Sequence, residues 1–233
     1  MLRDHLLDAL AVLLPLDCPA CGGETTRAPC GPCSAELAHQ AVLGHRVLGP
    51  PDDPLEVVTG AAYTGVVRRL VLALKEEART SAVPALAGVL RPALLAGLAP
   101  RDARAPATLV VPPGSFLRRL RRGFDPVPLL VRAAGARASS PARRRRLVFD
   151  QVGLGRLERS GNVDGAFRVR RPLDGEVVLV DDVVTSGATL LELRRAVRAG
   201  GGGVRGAVVL AGTPLRHADR SADRPSRSPA SSR

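Results

Sequence analysis

Aromatic side chains are nearly missing from this chain. Phe, Trp and Tyr together make 2% of its 233 residues, and tryptophan is absent. A core built from this sequence must therefore consist of Val, Leu and Ala. Lysine is as scarce, since Lys75 is the single one among 34 basic residues and the rest are Arg. So much Arg and Ala reads first as the composition of a GC-rich genome. Long apolar runs are missing as well: none reaches the roughly 18 residues that a membrane helix needs. At the N-terminus, Asp4, His5 and Asp8 interrupt the apolar stretch, and Asp17 before Cys18 is wrong for a lipoprotein cleavage site. Leu2, Leu6, Leu10, Val12, Leu13 and Leu14 instead suit an amphipathic helix packed on the body. The expectation is a cytoplasmic protein without membrane insertion.

What is present is ordinary in amount. Apolar residues make 45% and charged residues 24%, enough to bury a core and to exclude wholesale disorder. A mass of 24.4 kDa fits one domain with an addition, or two small ones. The net charge of +12 is concentrated. Residues Ser115 to Arg146 hold ten Arg and one Asp, and Thr213 to Arg233 hold five Arg and two Asp, so these stretches carry +9 and +3 and the remainder is neutral. A basic tail is often a solvated end, whereas a basic block inside the folded part suggests a polyanionic partner.

The chain divides by composition. Residues 1–48 hold the N-terminal helix and all four cysteines, and Gly49-Pro50-Pro51-Asp52-Asp53-Pro54 reads as a joint. Residues 55–212 alternate strand and helix signals. Strands are expected at Val57–Tyr63, Thr108–Val111, Leu147–Phe149, Val177–Val180 and Val204–Leu210. Helices are expected at Val66–Glu77, Val83–Leu98 and Ala188–Arg198, with Pro92 a potential break, and two short helices are expected after Pro112-Pro113. Asp150 to Gly165 reads as a long loop. Alternation of this kind argues an α/β fold with a parallel sheet flanked by helices. Residues 213–233, rich in Ser, Arg, Asp and Pro, are expected to be a disordered basic tail.

Cys18-Pro-Ala-Cys21 and Cys30-Gly-Pro-Cys33 are two CxxC pairs eight residues apart. Four thiolates so spaced can close tetrahedrally on Zn²⁺ as a small ribbon, and a site filled by four thiolates is structural because no position stays open for water. Two disulfides or a redox CxxC are the alternatives; a cytoplasmic setting disfavours the first and the duplication disfavours the second. His39 and His45 lie near enough in sequence to serve as alternative ligands.

The segment Val180-Asp181-Asp182-Val183-Val184-Thr185-Ser186-Gly187-Ala188-Thr189 is the most informative. A buried strand brings two adjacent carboxylates to its C-terminal edge, where ligands of open α/β sheets bind. The Thr-Ser-Gly turn then opens a helix whose N–H groups and hydroxyls can surround a phosphate. The acid pair suits vicinal ribose hydroxyls or a Mg²⁺ bridging to them. Phosphate donors beside an acid pair describe a ribose 5-phosphate site. The GxxxxGK[ST] pattern of a Walker loop is absent.

This string resembles the phosphoribosyl-diphosphate (PRPP) signature of the type I phosphoribosyltransferases. More closely, residues 10 to 212 resemble the ComF/GntX family, which joins a four-cysteine zinc module to such a domain. Tyr63-Thr64-Gly65 through Leu74-Lys75, Val110-Val111-Pro112-Pro113, Arg121-Arg122-Gly123-Phe124, and Gln151-Val152-Gly153-Leu154 with Arg159 and Asn162 also meet the family pattern, as does Ala166-Phe167. The chain departs from it at Asp125, where Asn is usual, at Val111-Pro112-Pro113-Gly114 and at Val152.

The resemblance implies roles. Asp181 and Asp182 would hold the ribose hydroxyls, and Thr185 to Thr189 the 5-phosphate. Pro112 and Pro113, with Lys75, would face the diphosphate and its Mg²⁺, and Gln151 to Asn162 would form a flap whose Arg156 or Arg159 reaches the diphosphate. Two classes of function follow: transfer of phosphoribose to a nitrogen acceptor, or a non-catalytic role in DNA uptake beside a competence helicase. For the second, Arg118, Arg119, Arg121, Arg122 and Arg143, Arg144, Arg145, Arg146 are candidate contacts to single-stranded DNA. Phe116, Phe124 and Phe149 are the nearby stacking residues, few for such a surface.

Overall fold

A computed structural model describes residues 16–99, 107–144, 165–170, 173 and 175–214. The expected N-terminal helix, the strand at Leu147–Phe149, the loop from Asp150 with Arg156 and Arg159, and the tail from residue 215 lie outside the described residues. Ten strands and six helices follow in the order β1 (Leu16–Asp17), β2 (Glu24–Thr25), α1 (Gly31–Gln40), β3 (Gly44–Leu48), β4 (Leu55–Ala62), α2 (Gly65–Glu76), α3 (Val83–Leu98), β5 (Thr108–Val110), α4 (Phe116–Arg122), α5 (Pro126–Ala133), β6 (Ala138–Ser139), β7 (Ala142–Arg144), β8 (Phe167–Val169), β9 (Glu176–Val184), α6 (Ala188–Ala199) and β10 (Gly203–Gly212), counted among the described residues.

The central sheet runs β3-β4-β10-β9-β5-β6. β4, β10, β9, β5 and β6 are parallel, and β3 pairs antiparallel with β4 at the edge. The uninterrupted apolar run Val177–Val180 explains the centre of this sheet, because both faces of β9 are covered. Val178 and Val180 pack with α2, α3 and α5 on one side. Val177 and Leu179 pack with Leu190, Leu193 and Val197 of α6 on the other. With no Trp and a single Phe among the fully buried side chains, Leu and Val fill these layers.

α3 spans Val83–Leu98 as expected, and Pro92, a potential break, does not end it. An interior proline removes one helical bond and crowds the preceding turn, at a cost of about 3 kcal/mol. The burial of Leu86, Val89, Leu90, Ala93 and Leu94 offsets it, at roughly 1.5–3 kcal/mol for each large side chain. No uninterrupted apolar run is that long, but the span Thr80–Leu98, counted through Arg91, has the length and mean hydropathy to cross a bilayer. Its apolar excess is met by packing on β4, β10 and α5. The Gly49–Pro54 joint turns the chain between β3 and β4, so residues 44–48, grouped by composition with the cysteines, are a strand of the central sheet.

The cysteine segment meets this body through α1. Glu36 accepts hydrogen bonds from the Val66 N–H (2.9 Å) and from Arg69, and Gln40 accepts from the Val67 N–H. These contacts satisfy two N–H groups that the start of α2 leaves without helical partners. Opposite, the buried Glu192 of α6 accepts from the Phe167 N–H and from Arg195, which ties β8 to the helix.

Candidate functional site

β9 continues past its apolar run through Asp181 and Asp182 to Val184. The two acids therefore stand inside the last pairs of the strand, not beyond it. Asp182 is 8% exposed and accepts a hydrogen bond from Lys75 Nζ at 2.9 Å. The sequence places both carboxylates at the strand's C-terminal edge as a ligand-facing pair, whereas Asp182 is buried and paired. The side chain of Asp182 turns to the α2 face, where the chain's single lysine sits at the helix end. Lys75 is thus engaged with Asp182. Asp181 Oδ1 accepts from the Asp182 N–H at 2.9 Å. Burial, reinforced by the neighbouring Asp182 charge, pushes the Asp181 carboxyl up to about 7.

After Val184 the chain turns through the exposed Thr185 and Ser186, and Gly187 adopts φ 81° to open α6. A Cβ at Gly187 would lie 2.5 Å from Leu48 Cδ1, so glycine is required by space as well as by conformation. Asp181, Val183, Thr185, Ser186, Ala188 and Thr189 are among the residues that enclose a pocket of about 100 Å³ at this helix start. Val184 also lines it, and Val180, earlier in β9, is buried in the core.

A larger cavity of about 260 Å³ adjoins this pocket. Asp181, Val183 and Thr189 line both. Its other walls include Lys75, Asp182, the Pro112–Ser115 turn, Arg122, Phe124, Asp125 and Arg144. The expected diphosphate turn, the acid pair and the phosphate loop are therefore brought to one place. Asp125 packs against that turn, its Oδ1 only 2.5 Å from where a Cβ on Gly114 would stand, so Gly114 is needed for this approach.

The basic block divides. Arg119 and Arg121 have side chains 68% and 66% exposed, and they pair with Asp125 (3.8 Å) and Glu76 (3.0 Å). The side chain of Arg122 is 6% exposed, reaches Glu76 at 3.3 Å and lines the cavity, and its Nε is buried without a hydrogen-bond partner. The backbone of Arg118 lies in α4; its side chain, with Arg145 and Arg146, lies outside the described residues. Arg143 is exposed on β7, and the Arg144 guanidinium lies 5.6 Å from the Phe167 ring centre. The cavity roles of Arg122 and Asp125 were hidden in the sequence because a charge run does not show which members point inward. Arg46, a buried arginine of β3, stands in no motif.

The Sγ atoms of Cys18, Cys21, Cys30 and Cys33 all lie within 4.8 Å of one another, Cys21 and Cys30 at 3.7 Å. A tetrahedral zinc with Zn–S bonds of about 2.3 Å needs S···S edges of about 3.8 Å, so the four donors fit. Burial raises the Cys18 thiol, but N–H donors from Cys30, Ala20 and Cys21 outweigh it and hold it at about 6. Burial and the neighbouring thiols push Cys33 up to about 12. The neighbouring Cys18 charge is one of the causes that raise Cys33, and a cation held by the thiolates would relieve that repulsion. His39 and His45 are not part of it; both line a separate hollow against β3.

No family model matches the chain. The DNA utilization protein YhgH of Salmonella typhimurium is 31% identical over 170 residues, which cover 70% of this chain and 75% of that protein. The protein of the same name from Escherichia coli K12 is 30% identical over 184 residues, covering 76% and 75%. Among solved structures, adenine phosphoribosyltransferase from Rhodothermus marinus is 18% identical, with 76% of this chain and 85% of that chain covered and a TM-score of 0.31. Orotate phosphoribosyltransferase from Aeropyrum pernix is also 18% identical, with 76% and 78% covered and a TM-score of 0.32. At these scores the architecture rests on the strand order itself.

Proposed function

This chain belongs to the family of the DNA utilization protein YhgH, and on that premise we propose that it binds PRPP, or another ribose 5-phosphate, across the two joined cavities and transfers phosphoribose to a nitrogen acceptor. The observation that carries the reading is the sharing of Asp181, Val183 and Thr189 between the pocket at the α6 start and the cavity under the Pro112–Ser115 turn. A phosphate fits the first, at a helix start lined by Thr185, Ser186 and Thr189, and a diphosphate fits the second. Asp181, which lines both, and Asp182, which lines the larger one, stand where ribose hydroxyls would bind.

In the reaction, the bond from C1 to the diphosphate oxygen breaks as a C1–N bond forms, diphosphate leaves with the electron pair, and the nucleophile's proton passes to solvent. Mg²⁺, when bound with PRPP, neutralises the leaving group. The chain's own part is to hold the ribose and to place cations at the diphosphate. Arg122 is suited to this by its burial and its free Nε. Arg159, outside the described residues, is the candidate from the Gln151–Asn162 segment. The four cysteines hold a structural zinc. Metal analysis returning about one zinc per chain, lost on substitution of Cys33, supports that assignment, and well under one contradicts it.

Calorimetric titration with PRPP, with and without Mg²⁺, followed by a screen of amine acceptors tests the function. Micromolar binding with turnover supports transfer, binding without turnover leaves a PRPP-binding protein, and no binding with Mg²⁺ present overturns the reading. A second reading, single-stranded DNA binding in DNA uptake beside a helicase partner, draws on the relatives' name and on the exposed Arg119, Arg121 and Arg143. Exposed ion pairs are worth about 0–1 kcal/mol, so a polyanion can displace them.

A further inference from the structure

The phosphate loop is braced from behind by the edge strand β3, and we propose that Arg46 is a positioning residue that orients this loop and supplies positive charge for a phosphate dianion. The inference deepens the ribose 5-phosphate reading and rests on it. Arg46 is 9% exposed. Its Nη1 donates to the carbonyl oxygens of Thr185 (3.1 Å) and Val184 (3.4 Å), and its Nη2 donates to that of Thr213. The Thr213 N–H also donates to the Val184 carbonyl at 3.0 Å. In a trans peptide the N–H points opposite to the carbonyl. Drawing the Val184 and Thr185 carbonyls toward Arg46 therefore turns the N–H groups of Thr185 and Ser186 the other way, away from the guanidinium.

Leu48, two residues on and so on the same face of β3, fills the space that Gly187 leaves. One strand thus grips the loop near both ends. The hydrogen-bond acceptors of Arg46 are all main-chain carbonyls, and among the described residues it forms no ion pair with a carboxylate. A nearly buried positive charge behind a loop of N–H donors favours a doubly charged ligand over a singly charged one.

Two measurements on the full chain test this, with Arg46→Met (charge and bonds removed) and Arg46→Lys (charge kept, fork lost). In the unliganded protein, amide hydrogen exchange should be about tenfold faster over residues 184–189 in Arg46→Met, while residues 177–180 of β9 keep their parent rates. At pH 8, the parent should prefer ribose 5-phosphate to the singly charged ribose 5-sulfate. Arg46→Lys should retain that preference with overall weaker binding, and Arg46→Met should lose about tenfold in phosphate affinity and most of the preference. A purely structural arginine would weaken both ligands alike. Unchanged exchange in both variants, or an unchanged phosphate-to-sulfate ratio in Arg46→Met, overturns the inference. If the parent binds neither ligand, the ribose 5-phosphate reading fails, and the exchange result alone decides whether Arg46 orients the loop.

Discussion

The loop from Thr185 to Thr189 and the arginines from Arg119 to Arg122 both read in sequence as places for an anion, and the fold treats them oppositely. The Val184 and Thr185 carbonyls are occupied from behind by Arg46 and Thr213, while Thr185, Ser186 and Thr189 line a pocket at the α6 start. Of the arginines, Arg119 and Arg121 are exposed and paired with Asp125 and Glu76, whereas Arg122 pairs with Glu76 yet keeps a buried Nε without a hydrogen-bond partner and lines the cavity beside the loop. Charge count favoured the whole run; the fold brings one of its members to the site and leaves two in solvent. An anion site is made by donors held in place more than by formal charge.

The strongest way to break this contrast is to disturb the acid pair beside the loop. Asp182→Ala leaves Lys75 as a cation with its partner gone and a side chain only 26% exposed. We expect a stability loss of about 2–3 kcal/mol by chemical denaturation, less than for a fully buried pair because Lys75 keeps some water. Lys75→Met with Asp182→Asn should recover part of that loss while PRPP binding stays absent. A double variant that binds PRPP like the parent would contradict the role of the acids.

Next is Thr189→Ala. Removing a hydroxyl that lines both cavities should cost about 1.5–3 kcal/mol in affinity for each hydrogen bond to phosphate, with stability nearly unchanged. Calorimetry on the parent and variant checks it.

How far the sequence foretold this contrast depends on the kind of signal. β9 and α6 were legible because a short apolar run with an acid pair and a Thr-Ser-Gly turn is local information. The cysteine cluster was legible from spacing alone. The destination of a side chain was not. Asp181 and Asp182 look equivalent in the chain, yet strand alternation sends Asp182 to the α2 face and Lys75. Arg121 and Arg122 look equivalent too, yet one faces solvent and the other the cavity. Arg46 carried no signal, since its partners lie about 140 and 167 residues away in sequence. Pro92 left the continuity of α3 open in the sequence, because a local rule about helix breaking competes with the burial of a whole apolar face.

A subtler effect concerns pH. With its carboxyl raised to about 7 in the folded chain and near 3.9 when unfolded, Asp181 holds a proton in the folded state that the unfolded state has released. Its contribution to stability should therefore fall as pH rises from about 4 to 7 and level off above. Urea midpoints across that range should lose this part of their slope in Asp181→Asn; an identical slope would contradict the raised carboxyl.

The smallest expected effects belong to the arginines. Arg119→Gln with Arg121→Gln should change stability by less than about 1 kcal/mol for each exposed pair. If single-stranded DNA binds there, the salt dependence of its affinity should flatten by about 0.7 per lost phosphate contact. Arg122→Gln should leave that slope unchanged and weaken PRPP instead. A reversal of these two responses would erase the division between the outward and inward arginines.

The central claim is that the β9–α6 loop and its neighbouring cavity hold a ribose 5-phosphate, and the most direct test is a crystal structure of the chain with that ligand. The account predicts phosphate density among Thr185, Ser186 and Thr189, with the ribose hydroxyls beside Asp181 and Asp182. Density placing the phosphate against Arg119 and Arg121, with the loop pocket empty at saturating ligand, would contradict it.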